Sequence, residues 1–178
     1  MILLLLAMQA AGPSPVDMKS SMQPLPVADA AALFKRVCHD PFPDPKASLA
    51  VIADPALGLV KLPETPSQAM QPGDAWSSSS AQVTYVDAEW LPRDFGSPQC
   101  GITVALDGAP EHLAVEAAFI AAMALPPGKG GKNKPRGQTQ WDLPHAPDTW
   151  RLFVNTTTTP SGKELRATIM NLRGKKPK

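Results

Sequence analysis

Residues 100–107 read Cys-Gly-Ile-Thr-Val-Ala-Leu-Asp, and this stretch decides the fold prediction. Apolar residues alternate in it with small or polar ones, which is the period of a β-strand with one buried face. The alternation places Cys100 on the buried side of the strand.

The other cysteine of the chain, Cys38, falls on a predicted helix over residues 30–39. That helix has one apolar stripe, formed by Leu33, Phe34, Val37 and Cys38. Since Cys38 and Cys100 both lie on predicted buried faces, and no further cysteine is present, the sequence predicts a disulfide between them. The alternative is a catalytic thiol at Cys38 beside His39, but neighbours in sequence do not face each other on a helix.

The remaining elements are predicted from the spacing of apolar residues and from the residue types that begin or end helices and strands. Asp44 and Pro45 start a second helix, with Asp as the N-cap and Pro at the first helical position. A long helix over 110–125 is so apolar that we expect it to be covered on most sides. Further strands are expected over 82–90, 139–143, 149–158 and 164–172, and residues 58–80 are expected to be a loop. The order ααββαβββ predicts an α+β domain with a single antiparallel sheet of about five strands and helices packed on one face.

The first twelve residues are an apolar run that ends in small residues, which is typical of a signal peptide of bacterial type. The run is too short for a transmembrane segment, which needs roughly 20 residues. No Lys or Arg precedes it, which is atypical of such a signal. We therefore expect a periplasmic or secreted protein with a signal peptide over 1–12, a linker over 13–27, one domain over 28–172 and a basic tail over 173–178.

Composition and charge exclude some fold classes and argue against one class of partner. Pro and Gly make up 33 of the 178 residues, which excludes a coiled coil or a long helical bundle. The net charge of +1 hides a segregation, because eight cations lie in two short segments without acids. The rest of the chain carries nine basic and 16 acidic residues. An acidic body that is exported argues against nucleic acid as a partner of the basic tail.

The first cationic segment, residues 128–138, is predicted to be a mobile loop. It does not match the phosphate-binding pattern, since Lys132 is followed by Asn133 and a helix precedes the loop. Its cations could hold an anionic surface or an acidic protein partner, although a solvated connection would have the same composition. The candidate binding residues are Lys129, Lys132, Lys134 and Arg136.

Candidate catalytic and metal-binding residues are scattered. His112 and Glu116 share one face of the long helix, and His145 could be a third zinc ligand, but catalytic zinc needs three ligands held together. Asp87 and Glu89 share one face of a strand, as a pair of catalytic carboxylates would. The spacing of these residues favours ordinary polar surface, so we predict neither a metal site nor a cofactor.

Two of the four tryptophans, Trp76 and Trp141, lie beside predicted loops and are the aromatic candidates for a binding surface. Together these features predict an exported, disulfide-stabilised domain that is not catalytic and binds a protein, a glycan or an anionic surface. The alternative is a small periplasmic hydrolase whose site draws on His39, His112, His145, Asp87 and Glu89.

Overall fold

The structure is a computed structural model that describes residues 22–63, 73–87, 97–130, 137–145 and 147–172. Eight antiparallel strands form one sheet within these ranges. They are β1 Val60–Lys61, β2 Asp74–Ser77, β3 Ala81–Val86, β4 Gln99–Leu106, β5 Lys129–Gly130, β6 Gly137–His145, β7 Asp148–Thr159 and β8 Gly162–Leu172. Their order in the sheet is β1-β2-β3-β4-β8-β7-β6-β5.

Three α-helices accompany the sheet in the described ranges: α1 Val27–Phe34, α2 Pro45–Ile52 and α3 His112–Met123. A π-helical turn over Lys35–His39 continues α1, and a 3₁₀ turn over Pro55–Leu57 follows α2. The helix α2 begins as its sequence predicts, since the Asp44 carboxylate accepts hydrogen bonds from the backbone N–H groups of Lys46 and Ala47. None of the described helices is long and apolar enough to cross a membrane.

The fold is α+β with one antiparallel sheet, as predicted, but the sheet has more strands than the five expected. All five predicted strands are present, as β3, β4, β6, β7 and β8. The additional strands β1, β2 and β5 are only two to four residues long, which is too short for an alternating pattern to be visible in the sequence.

The core lies between the helices and one face of the sheet. The alternating residues that opened the prediction are buried: Cys100 and Val104 are fully enclosed, and Ile102 and Leu106 are at most 4% exposed. Phe34 of α1 and Phe119 of α3 pack over them with their ring centroids 5.5 Å apart. The helices therefore cover a single face, as predicted.

The disulfide between Cys38 and Cys100 is confirmed, with both residues fully buried. It joins the π-helical turn directly to the central strand β4. The two positions are 62 residues apart in sequence, so the bond closes a long loop through the middle of the core.

The helix α3 differs from its prediction in how much of it is covered. Its buried side consists of Val115, Phe119 and Met123, spaced one turn apart. Leu113 on the outer side is 76% exposed, so the expectation of burial on most sides was wrong. Alanines supply most of the outer face, and their small methyl groups and high helix propensity make the sequence look apolar without requiring burial.

Residues 22–26, expected in the linker, are part of the fold. The backbone N–H of Leu25 donates to Ala105 O, and the N–H of Asp107 donates to Leu25 O. The chain thus runs beside the end of β4 before α1 begins. The predicted signal peptide, residues 1–12, and the basic tail, residues 173–178, lie outside the described residues.

Candidate functional site

The sheet face opposite the helices is the candidate site, and we call it the open face. Because side chains alternate along a strand, each buried core residue has neighbours that point to the other side. The helices all contribute to the single core cluster, so no described helix lies on the open face. On β3, β4, β6, β7 and β8, the residues that strand register places on it include Gln82, Thr84, Val86, Gln99, Gly101, Thr103, Ala105, Gln138, Gln140, Asp142, Arg151, Phe153, Asn155, Thr157, Glu164, Arg166, Thr168 and Met170.

Uncharged hydrogen-bonding side chains predominate on the open face. Threonine hydroxyls and Gln or Asn amides outnumber its charged groups, and most of these side chains are half-buried. Hydroxyl and amide groups both donate and accept hydrogen bonds, unlike the Lys and Glu side chains that cover an ordinary solvated face. The surface can therefore hold a ligand that carries donors and acceptors but no charge.

The charges that β6, β7 and β8 contribute to the open face are paired with one another. Arg151 donates two hydrogen bonds to the Asp142 carboxylate, of 2.6 and 3.1 Å, and only 6% of the Asp142 side chain is exposed. These hydrogen bonds from Arg151 hold the pKa of Asp142 below its ordinary value, against the opposing effect of burial. On the neighbouring strand, Arg166 Nε lies 2.8 Å from Glu164 Oε1. Both pairs are neutral overall, so they add polar groups to the face without adding net charge.

One row of side chains crosses the strands through the middle of the open face. Gln140 pairs with Phe153, Phe153 with Thr168, Thr168 with Gly101, and Gly101 with Thr84. Neighbouring strands are about 4.8 Å apart, so the row from β6 to β3 is about 19 Å long. We call these five residues the central row.

A notch interrupts the central row at Gly101, which lies on the central strand β4. A Cβ atom at this position would lie 3.0 Å from Thr168 Oγ1 and 3.3 Å from Thr84 Oγ1. The two hydroxyls therefore converge over the glycine backbone from both sides. Gly101 is itself buried beneath them, and a side chain of any other residue type would press against both hydroxyls.

Lys129 is the one predicted loop cation that the described residues include. It pairs with Gln140, so it extends the central row at the β5 edge of the open face, and it is exposed. Its charge contributes to the lowered pKa of Asp142. Lys132, Lys134 and Arg136 lie outside the described residues.

The two tryptophans predicted for a binding surface are buried. Trp76 is 9% exposed, and Trp141 is 2% exposed with its indole N–H donating to Pro126 O at 2.8 Å. The expectation that they are exposed was wrong because β2 went unrecognised, and because Trp141 lies on the core side of β6 beside Thr139. Proximity to a loop in sequence did not indicate exposure.

His112 and Glu116 are brought together, but through a threonine. The Thr139 hydroxyl donates to Glu116 Oε2 at 2.9 Å, so it must accept from the His112 Nε2–H at 2.8 Å. His112 Nδ1 lies 3.0 Å from Thr156 Oγ1. Burial lowers the pKa of His112, and Lys163 lowers it further while Glu116 opposes the shift. Both hydroxyls are at most 2% exposed, so this network joins α3 to the sheet in the core rather than facing a substrate.

The other candidate catalytic residues lie apart. His39 contacts Asp40 at 3.1 Å, and the His145 ring stacks on Trp150 with centroids 3.9 Å apart. Asp87 is exposed, and Glu89 lies outside the described residues. Among the residues that the structure describes, no three His, Cys, Asp or Glu side chains are grouped closely enough to hold a metal ion.

Comparison with known proteins gives no family assignment. No family model matches the chain, and neither the curated proteins nor the solved structures yield a match. The central row was also missed by sequence reasoning, although a signal for part of it was present. Gly101 is one of the alternate residues of β4, the strand whose buried residues were predicted correctly.

Proposed function

We propose that this protein is an exported, disulfide-stabilised domain without catalytic activity that binds an uncharged glycan on the open face of its sheet. The observation that supports the proposal is the make-up of that face. Its hydroxyls and amides predominate, its ion pairs are internally neutral, and Phe153 lies among them.

Export is supported by the disulfide, because such bonds persist in oxidising compartments. The apolar run at residues 1–12 is the second support for it. Together they support a periplasmic or secreted location.

A glycan fits the open face better than the other ligand classes do. Sugar rings present hydroxyls, which match Thr and amide side chains, and a C–H face, which packs on an aromatic ring such as Phe153. An anionic surface would call for unpaired cations, whereas Arg151 and Arg166 are each held by a carboxylate. The hydrolase alternative draws on three histidines, and no hydrogen bond joins His39, His112 or His145 to another of them in the described structure.

The test is a binding titration of the oxidised protein with soluble polysaccharides: a neutral hexose polymer, an N-acetylhexosamine oligomer and a polyuronate. We expect binding to at least one of the two uncharged polymers, and about tenfold weaker binding by Phe153→Ala. The matched control is Leu113→Ala, since Leu113 is exposed on the opposite side of the molecule and its truncation should leave affinity unchanged.

Two results would overturn the proposal. One is the absence of binding to both uncharged polymers. The other is binding to the polyuronate alone with a steep loss of affinity as salt increases, which would assign the surface to an anionic ligand that Lys129 attracts.

A further inference from the structure

We infer that the glycan lies across the strands, along the central row, and that the two threonine hydroxyls above Gly101, those of Thr84 and Thr168, bind a group projecting from one sugar ring. This inference rests on the proposed function and adds the position, the direction and the specificity element of the ligand. The row is Gln140, Phe153, Thr168, Gly101 and Thr84.

Side-chain size makes the central row a trough on β3, β4 and β8. The row itself contributes Thr168, Gly101 and Thr84 there, all short. On one side, strand register places Met170 and Gln99, which are longer than the row residues of their strands, and Val86, which matches Thr84 in size. On the other side it places the longer Arg166 and Gln82, with Thr103, no longer than the threonines of the row, between them.

The direction of the trough follows from sheet geometry. It runs perpendicular to the strands, and the central row that contains it is about 19 Å long, which is sufficient for a few linked sugars rather than for one. A chain lying along a strand would instead meet side chains of alternating rows, including the shielded pair of Asp142 and Arg151. Only the central row offers an aromatic ring and short hydroxyl side chains in one line.

The notch supplies the specific contacts. Thr84 Oγ1 lies 3.5 Å from Gly101 O, the limit of a hydrogen bond, so little is lost when this hydroxyl turns to a ligand. Thr168 Oγ1 approaches from the opposite side. Two hydroxyls above a buried glycine can donate to and accept from one exocyclic hydroxyl or amide of a sugar.

The experiment compares four variants with the wild type on the uncharged polymer that the wild type binds. Thr84→Val and Thr168→Val remove one hydroxyl each and keep the shape, and Gly101→Ala fills the notch. Thr103→Val is the matched control, since Thr103 lies on the same face of the same strand, one row away. Unfolding curves of each variant separate loss of binding from loss of fold.

We expect each valine variant of the central row to bind about tenfold more weakly, as the loss of one hydrogen bond predicts. Thr103→Val should stay within about twofold of the wild type. Gly101→Ala should lower affinity at least as much as the valine variants, since its methyl group would push both hydroxyls aside.

The outcomes separate the two proposals. Suppose that the wild type binds, that Phe153→Ala weakens binding and that the threonine variants do not. The proposal of the trough is then wrong, and the proposal of binding on the open face is kept. If Thr103→Val loses as much affinity as Thr168→Val, binding is spread over the face and the trough is again wrong. If wild type binds no uncharged polymer, both proposals fail.

Discussion

His112 shows how a single residue couples α3 to the sheet. Its ring contacts two buried threonine hydroxyls and so spans from the helix to β6 and β7. Burial is the largest cause that lowers the pKa of His112, so a proton binds this side chain more tightly in the unfolded chain than in the folded one. Stability should therefore be complete above the ordinary pKa of about 6.5 and decline as pH falls below it.

The prediction for His112 is that the stability difference between wild type and His112→Gln shrinks as pH falls. Urea unfolding at about pH 7.5, 6.5 and 5.5 measures it, since glutamine does not titrate. If the two stabilities change in parallel over that range, His112 does not carry the pH dependence.

Asp142 should lose its contribution to stability in the same direction as His112, with falling pH, but in a more acidic range. Hydrogen bonds from Arg151 lower its pKa in the folded state, so its contribution is present above the ordinary value near 3.8 and lost as pH falls through the lowered one. Asp142→Asn should be less stable than wild type at about pH 6, and the difference should vanish toward about pH 3. Thermal unfolding of both proteins across that range is the measurement, and a constant difference would contradict the role of the charge.

At the scale of elements, two glycines allow α3 and the segment after it to lie close to the sheet. A Cβ at Gly137 would overlap the His112 ring, and one at Gly128 would overlap Trp141 and Thr139. The start of α3 and the segment that follows α3 can therefore rest directly on β6. Neither position has a left-handed backbone, so the requirement at each is space rather than torsion.

Gly137→Ala should destabilise the domain by about 1–3 kcal/mol, because the helix must shift or the ring must leave its threonines. Gln138→Ala, one residue further along β6 and exposed, is the control and should change stability by less than about 0.5 kcal/mol. Denaturant unfolding compares them. Equal stability of Gly137→Ala and wild type would mean that α3 is not held by this contact.

Element length decided what the sequence could predict. The strands β4, β7 and β8 are eight to 12 residues long, so their alternation was visible. The strand β2 has four residues, and with it the burial of Trp76 was missed. The site consists of the residues that alternate with the buried ones and point to the open face. Strand register alone decides which of them form a row, because it pairs residues such as Gly101 and Thr168 that are far apart in sequence.

At the scale of the whole molecule, the disulfide is the largest single constraint predicted from the sequence. A loop of this length implies about 4 kcal/mol of stabilisation in the chain-entropy model. The double variant Cys38→Ala, Cys100→Ala should lose about that much free energy of unfolding. Wild type unfolded in the presence of a reductant is the control. A loss below about 1 kcal/mol in both would show that the core holds the π-helical turn without the bond.

The pairing of β4 with β8 has a consequence for how this chain is made. It joins Gln99 to Met170, so the last described strand lies at the centre of the sheet, between two meanders that are each local in sequence. During synthesis or translocation the first meander, with both cysteines, is complete while its central edge still lacks a neighbour. Until β8 is added, the edge of β4 can pair with a strand of another molecule. This protein is therefore most exposed to aggregation while nascent chains that lack β8 are crowded together.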